Sequence, residues 1–305
     1  LKIQKGGRKI EFRYPRDIGQ NYIKQFAEAN AYPLEKKPTI NGMLIKYVLT
    51  TSDEQEMVLN LYLNGKGNCS SLLVERGDCS VVEELLGFIT RDIPIKKPRI
   101  GIDEAGKGDY FGPLVIAAVG VTGREEIKLK AMGVTDSKTI NDKKILEISS
   151  EIIKLCPHDI ITITPQKYNE LYKKFNNLNR LLAWGHSRAL ENVLKKGDFP
   201  LAISDKFSSK GLVQKALFEK GKKIELVERH YAEDDVAVAA ASILARAEFL
   251  RGLNKLSKIS GVKLPKGASN KVIEVGVVLV DKFGAQKLSE YAKLHFKTTE
   301  RILSK

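Results

Sequence analysis

Arg99-Ile-Gly-Ile-Asp-Glu-Ala-Gly-Lys-Gly-Asp-Tyr-Phe-Gly-Pro113 is the stretch on which the fold turns. Its first five residues read as a buried strand. The strand ends in two adjacent carboxylates, Asp103 and Glu104, and a glycine-rich turn carrying Lys107 follows. Such a turn first suggests a phosphate cradle. Gly101-x4-Gly106-Lys107 comes near a P-loop, but Gly108 stands where Ser or Thr should hold magnesium, and no helix-forming sequence follows. Gly106, Gly108 and Gly112 are one residue off the dinucleotide fingerprint, and both acids would repel a pyrophosphate beside them. A reading that uses the acids fits better. Two carboxylates at a strand end are costly to keep charged without a cation between them. Oxygen ligands of this kind suit Mg2+ or Mn2+, and two such ions about 4 Å apart activate water and stabilise the leaving oxygen of a phosphodiester. The Gly-Lys-Gly turn would then offer backbone N–H groups and a cation to substrate phosphates. The plainer alternative is a turn Asp beside a solvated Glu, the ordinary condition of surface carboxylates.

Downstream, strands alternate with helices, which argues for an α/β domain. Leu114–Val121 and Asp159–Thr164 read as strands, Asp142–Leu155 as an amphipathic helix, and Tyr168–Leu194 as one long helix with Gly185 as its soft spot. Leu201–Asp205 and Ile224–Glu228 are short strands. Val236–Leu250, apolar on nearly every face, should be a buried helix, and Val272–Phe283 a further helix. Leu201–Asp205 is a second strand that ends in an acid, and Glu233-Asp234-Asp235 immediately precede the buried helix. Acids at a helix start are often caps or dipole partners. Three in a row leave room for one ligand, one cap and one solvated residue. Strand-end acids together with this cluster would gather at one edge of an α/β sheet, where such folds hold their sites.

Upstream, Arg91-Asp-Ile-Pro-Ile-Lys-Lys-Pro-Arg99 breaks the pattern with two prolines and five charges, as a linker does. The unit before it reads as helix (Ile18 to Ala29), three strands (Leu44–Leu49, Met57–Leu63 and Ser70–Val74) and a second helix (Val81–Ile89), with a turn at Asn64–Gly67. Lys2, Lys5, Arg8, Lys9, Arg13 and Arg16 read as a solvated arm or as a contact for nucleic-acid backbone. Tyr47 and Tyr62 on the strands could stack on bases or pack on helices. In the whole chain of 305 residues, 51 Lys and Arg against 37 Asp and Glu leave a formal charge of +14, which points to a polyanionic partner. Apolar residues, at 43%, suffice for a core. No run of about 18 apolar residues offers a membrane span, and the basic residues from Leu1 onward lack the apolar stretch of a signal peptide. Cys69, Cys79 and Cys156 are odd in number and not in CxxC spacing, which fits a reducing, cytoplasmic setting.

Three blocks, Asp103-Glu-Ala-Gly-Lys-Gly108, Asp136-Ser-Lys138 and Ala240-Ala-Ser-Ile-Leu-Ala-Arg246, resemble the signatures of type 2 ribonucleases H. Within that family the chain is most similar to bacterial ribonucleases HIII. Gly106-Lys-Gly-Asp-Tyr-Phe-Gly-Pro113, Asn177-Leu-Asn-Arg-Leu-Leu-Ala-Trp-Gly-His186 and Lys293-Leu-His-Phe-Lys-Thr-Thr-Glu300 follow the HIII pattern. The resemblance implies an α/β ribonuclease H-like catalytic domain over 99–305, with a central mixed sheet flanked by helices. It also implies a small α+β TBP-like domain over 1–90 that holds the hybrid, joined by a linker at 91–98. The activity it implies is metal-dependent cutting of the RNA strand of RNA/DNA hybrids, leaving 5′-phosphate and 3′-hydroxyl ends and favouring runs of ribonucleotides.

Four acids would hold two divalent ions, Mg2+ or Mn2+. Asp103, Glu104 and Asp205 match the first three. The fourth falls on Glu233, with Asp234 as the alternative. Gly106, Lys107 and Gly108 would grip the RNA backbone, where sensing a 2′-hydroxyl separates RNA from DNA. Ser137 and Lys138 would contact phosphate. Asn177, Asn179 and His186 are further substrate candidates, although a lone His is more often structural, and Trp184 belongs in the core. A cytoplasmic monomer without an obligate protein partner is expected. Two alternatives stay open: a ribonuclease HII-like enzyme that incises at single embedded ribonucleotides, and a hybrid-binding protein without catalysis.

Overall fold

The computed structural model describes residues 8–14, 16–38, 44–63, 69–76, 81, 84–85, 97–134, 137, 140–207 and 211–304. The chain forms two compact units, residues 1–95 with 127–133 and residues 96–126 with 134–305.

In the first unit, alternation along β3 (Leu44–Thr50) turns Ile45, Tyr47 and Leu49 to one side, and β4 (Glu56–Leu63) adds Met57, Leu59, Leu61 and Leu63. Helix α1 (Arg16–Ala29) meets this surface with Ile23, Phe26 and Ala27, which share one helical face. Tyr47 belongs to this core, and its hydroxyl donates to Gln20 Oε1 at 3.1 Å. Tyr62 has the opposite parity and is about a third exposed.

The sheet has five strands, not the three expected: β1 (Arg8–Tyr14), β2 (Leu34–Lys37) and β5 (Cys69–Arg76) complete an antiparallel order β1-β5-β4-β3-β2. Both missed strands are edges. Arg-Lys-Ile-Glu-Phe-Arg-Tyr and Leu-Glu-Lys-Lys are too charged to read as strands, and charge is how edges resist pairing with another chain. The basic segment from Arg8 is thus sheet rather than arm. Residues 1–7, the turn at 64–67 and most of the linker at 91–98 lie outside the described residues. Of the expected helix at 81–89, only Val81, Glu84 and Leu85 are described, and they are helical.

The second unit is built on a mixed sheet in the order β10-β9-β6-β7-β8, with β6 (Arg99–Ala105), β7 (Leu114–Val121), β8 (His158–Ile163), β9 (Leu201–Asp205) and β10 (Glu225–Arg229). β6, β9 and β10 run parallel, and β7 and β8 are antiparallel to their neighbours. After α2 (Gly123–Ala131) and α3 (Asp142–Leu155), the expected long helix is two: α4 (Pro165–Phe175) and α5 (Leu178–Val193). The break lies at Asn176-Asn177, not at Gly185. Asn176 takes the left-handed conformation (φ 47°) that ends α4, and the Asn177 side chain accepts from Arg180 N to start α5. Gly185 sits in mid-helix, where a Cβ would come within 2.8 Å of Ile116.

One face of the sheet, through Ile100, Ile102, Ile116 and Ala118, packs on α5 residues such as Leu182 and Leu190 in a core that also takes Trp184 at its margin. The other face carries α7 (Val236–Ser260), ten residues longer than expected, whose Ala-rich first half is buried all round. Small side chains allow close approach: a Cβ on Gly101 would fall 2.0 Å from the Ala237 backbone. Helix α7 runs alongside β6 in the same direction. Arg99 Nε donates to Asp235 at 2.8 and 2.9 Å, Gly101 abuts Ala237, and Asp103 bonds Ser242. Arg99 also pairs with Glu126 at 2.8 Å, so the start of α7 is held by a buried ion network. A short α6 (Leu212–Ala216), α8 (Asn270–Phe283, the last expected helix) and α9 (Thr298–Leu303) complete the unit.

Candidate active site

Parallel strands finish at the same edge of a sheet. Ile102 is in register with Ser204, so β6 and β9 carry Asp103 and Asp205 out together, one residue further on. Period-2 alternation then separates the two neighbouring acids. Asp103 follows Gly101 onto the α7 face, and Glu104 follows Ile102 onto the α5 face.

A cavity of about 500 Å3 opens at this edge. Asp103, Glu104, Asp205 and Glu233 line it, with Gly106, Lys107, Gly108 and Ser137. Among the described residues, no three Asp, Glu, His or Cys side chains stand close enough together to hold a metal ion as they are placed. The carboxylates line an open cavity instead.

The acid triplet after β10 divides as its chemistry allows. Glu233, in the single 3-10 turn Ala232–Asp234, lines the cavity. Asp234 is exposed and pairs with Arg229, outside the cavity lining. Asp235 caps α7, accepting from Ala237 N at 2.9 Å. Of the two candidates for the fourth acid, Glu233 is the one at the cavity. The charge of Asp234 is spent on a surface pair.

Burial pushes the Asp103 carboxyl up to about 8, with the charges of Glu104 and Glu233 adding to the rise and a Ser242 hydrogen bond opposing it. Burial alone would raise Glu104 too, but the hydrogen bond and charge of His186, with help from Lys107, hold it below the usual carboxylate range. His186 is fully buried on α5. Its Nε2 lies 3.0 Å from Glu104 Oε2 and its Nδ1 3.1 Å from Ser204 Oγ. Ser204 Oγ in turn donates to the Asp205 carbonyl at 3.2 Å, so His186 bridges Glu104 on β6 and Ser204 on β9. The network ties the end of β6 to the end of β9. His186 does not line the cavity; it lies behind Glu104, within hydrogen-bond distance of its carboxylate.

The glycine turn has two functions in one motif. Gly106 adopts φ 85°, and a Cβ there would meet Pro113 O at 2.2 Å, so no other residue fits. Gly108 has open space around it and leaves its backbone accessible from the cavity. Lys107 Nζ donates to Glu104 Oε1 at 3.3 Å. Buried Lys293 anchors the following residues, donating to the carbonyls of Asp109 and Gly112 at 2.8 and 2.7 Å.

Ser137 is at the cavity, its hydroxyl 2.8 Å from that of Ser242. Lys138 lies outside the described residues. Asn177 is an exposed helix cap and Asn179 lies in the first turn of α5, and neither lines the cavity. Asn177 starts α5. Ser242, Arg246, Phe249 and Lys266 line the cavity too, the first two from the Ala240–Arg246 block that carries the family resemblance. A signal existed for the first three, because 242, 246 and 249 recur at helical spacing on a helix otherwise filled with Ala, Ile and Leu.

A family model described as Ribonuclease HII matches residues 100–299. A curated ribonuclease HIII of Protochlamydia amoebophila is 48% identical over 264 residues, covering 85% of this chain and 88% of its own. One of Chlamydia pneumoniae is 46% identical over 212 residues, 68% of this chain and 71% of its own. Among solved structures, Bst-RNase HIII in complex with Mn2+ aligns with a TM-score of 0.64 at 24% identity, covering 97% of this chain and 98% of that one. Aquifex aeolicus RNase H3 aligns at 0.57 and 25% identity, covering 95% and 100%.

Proposed function

We propose, since this chain belongs to the ribonuclease HIII branch of the type 2 ribonuclease H family, that it hydrolyses the RNA strand of RNA/DNA hybrids at the cavity of Asp103, Glu104, Asp205 and Glu233. The observation that carries this is the convergence of four carboxylates from β6, β9 and the turn before α7 on one cavity beside a backbone-exposing glycine turn. The donor set fits divalent cations. It is all hard oxygen, and Asp103 bears a burial and repulsion cost that a cation would relieve. An open lining suits ions that keep waters and share substrate phosphate oxygens. The Bst relative, whose fold the chain shares, is described with Mn2+. Two Mg2+ or Mn2+ ions held by Asp103, Glu104, Asp205 and Glu233 would supply activation of the attacking water and stabilisation of the leaving 3′-oxygen.

The chain's own residues do the rest. Asp103 and Asp205 present carboxylates from strand ends held in register. His186 fixes the rotamer of Glu104. Lys107 and the backbone at Gly108 meet the scissile phosphate and the 2′-hydroxyl beside it, and Ser137 borders the same groove. Residues 1–90 hold the hybrid, residues 91–98 link, and residues 99–305 cut. The enzyme works as a cytoplasmic monomer, and no helix among the described residues is long and apolar enough to cross a membrane.

The direct test offers the protein two duplexes, an RNA/DNA hybrid and a DNA duplex with one ribonucleotide. The hybrid should be cut to 5′-phosphate products and the single ribonucleotide far more slowly. Equal rates would transfer the chain to the HII-like reading, and binding without cutting to the non-catalytic one.

His186→Leu leaves Glu104 and Ser204 without their buried partner, and should cost about 1–3 kcal/mol of stability in thermal melts. It should also lower kcat with little change in KM, because Glu104 rather than substrate contact is disturbed. His186→Gln, which keeps a hydrogen-bonding group, should recover part of kcat. Loss of stability with kcat intact would leave His186 a packing residue only.

A further inference from the structure

Beyond the cavity, α7 continues past Leu250 to Ser260, and a second groove of about 800 Å3 follows it. Leu250 and Lys266 line both, so the two adjoin. The floor is apolar and fixed: Leu253 and Leu264 are buried. The loop that forms the far wall is pinned to the helix. Ser257 Oγ accepts from Leu264 N at 3.0 Å, and Ser260 Oγ accepts from Val262 N at 3.2 Å. The rim is cationic, with exposed Lys258, Lys263, Lys266 and Lys271. The one acid in the lining, Asp142, already faces Arg246 and Lys266, at 2.7 Å each.

Fold stability does not account for this set. Lys258 sits in the last turn of α7, where a cation suits the helix dipole, but Lys271 sits in the first turn of α8, where it opposes the dipole and no acid offsets it. Lysines gathered around one groove repel one another. A polyanion reverses that cost. From Ser242 at the cavity to Lys258 the helix climbs about 24 Å at ~1.5 Å per residue, which spans several nucleotides at ~3.4 Å per step along one strand.

We propose that this lysine-rimmed groove is a track for the phosphodiester backbone of the same hybrid, several nucleotides away from the scissile phosphate. The proposal rests on the hybrid-cutting reading and adds to it a second, remote contact surface. The groove tightens long substrates by charge and leaves the chemistry alone. It contributes nothing to a hybrid too short to reach Lys258.

The test compares the full chain with a triple variant, Lys258→Gln, Lys263→Gln and Lys271→Gln, which spares Lys266 because it lines the catalytic cavity. A control, Lys173→Gln, Lys174→Gln and Lys195→Gln, removes the same charge from other exposed positions. For a long hybrid, the slope of log affinity against log salt should shrink by about 2–3 in the groove variant, given roughly 0.7–0.9 per neutralised phosphate. KM should rise, kcat should hold, and a hybrid shortened to the cavity should be cut alike by all three proteins. An unchanged slope and KM in the groove variant, an equal loss in the control, or an equal loss on the short hybrid would overturn the track. Failure of the unaltered chain to cut any hybrid would instead overturn the functional reading, so the two failures are distinct.

Discussion

Asp103→Asn is expected to lower hybrid cleavage by about a thousandfold, equivalent to ~4 kcal/mol of transition-state stabilisation, while hybrid affinity stays within a few-fold. The carboxyl lies at the convergence of β6, β9 and α7, and a bound cation would relieve the burial and repulsion that hold its proton on. Affinity comes from phosphate contacts spread over the chain and is insensitive to one buried acid. Single-turnover cleavage and filter binding on one hybrid separate the two quantities. Full activity would remove Asp103 from the site.

The same substitution has a signature in stability. The Asp103 carboxyl, raised to about 8, holds its proton in the folded chain and loses it in the unfolded one between pH ~4 and about 8. The folded state therefore binds more protons across that window, and stability falls as pH rises through it. Asn does not titrate. In chelated buffer the melting temperature of Asp103→Asn should gain on that of the native chain as pH rises from about 5 to about 8. Parallel melting curves would assign the strain elsewhere.

The second large effect separates two neighbours. Glu233→Gln should reduce kcat by about a hundredfold or more, since it removes a carboxylate from the cavity lining. Asp234→Asn should stay within about twofold, because an exposed ion pair contributes about 0–1 kcal/mol. A reversed pattern would mean that the turn after β10 refolds on the substrate and exchanges the two side chains. Steady-state rates at several metal concentrations decide it, and added metal should partly restore Glu233→Gln.

How much of this was legible beforehand follows from which signals are local. The acid pair at Asp103 and Glu104, the second strand-end acid at Asp205 and the buried helix after Asp235 all announce themselves within a few residues. Hydrophobic runs that stop at a carboxylate are rare enough to notice. The five-stranded first sheet was not legible, because edge strands β1 and β2 owe their pairing to backbone hydrogen bonds and their charged side chains resemble loops. The break between α4 and α5 was misjudged because Gly185 is a familiar helix weakness. The chain instead ends one helix and caps the next with the pair Asn176-Asn177, and it uses Gly185 for contact with Ile116.

The order of residues already carries the acids, the Gly-Lys-Gly turn, the cationic excess and the family resemblance. Tertiary structure alone decided the roles. Whether an acid after β10 lines the cavity, pairs at the surface or caps a helix depends on which way the backbone there points each side chain, and all three residues look alike in the chain. His186 meets Glu104, 82 residues earlier, because α5 packs on the face of the sheet to which Glu104 turns. Pairings of that kind are made when distant segments pack and bury their polar groups together. A linear sequence carries the groups, but only the folded chain sets the distances between them.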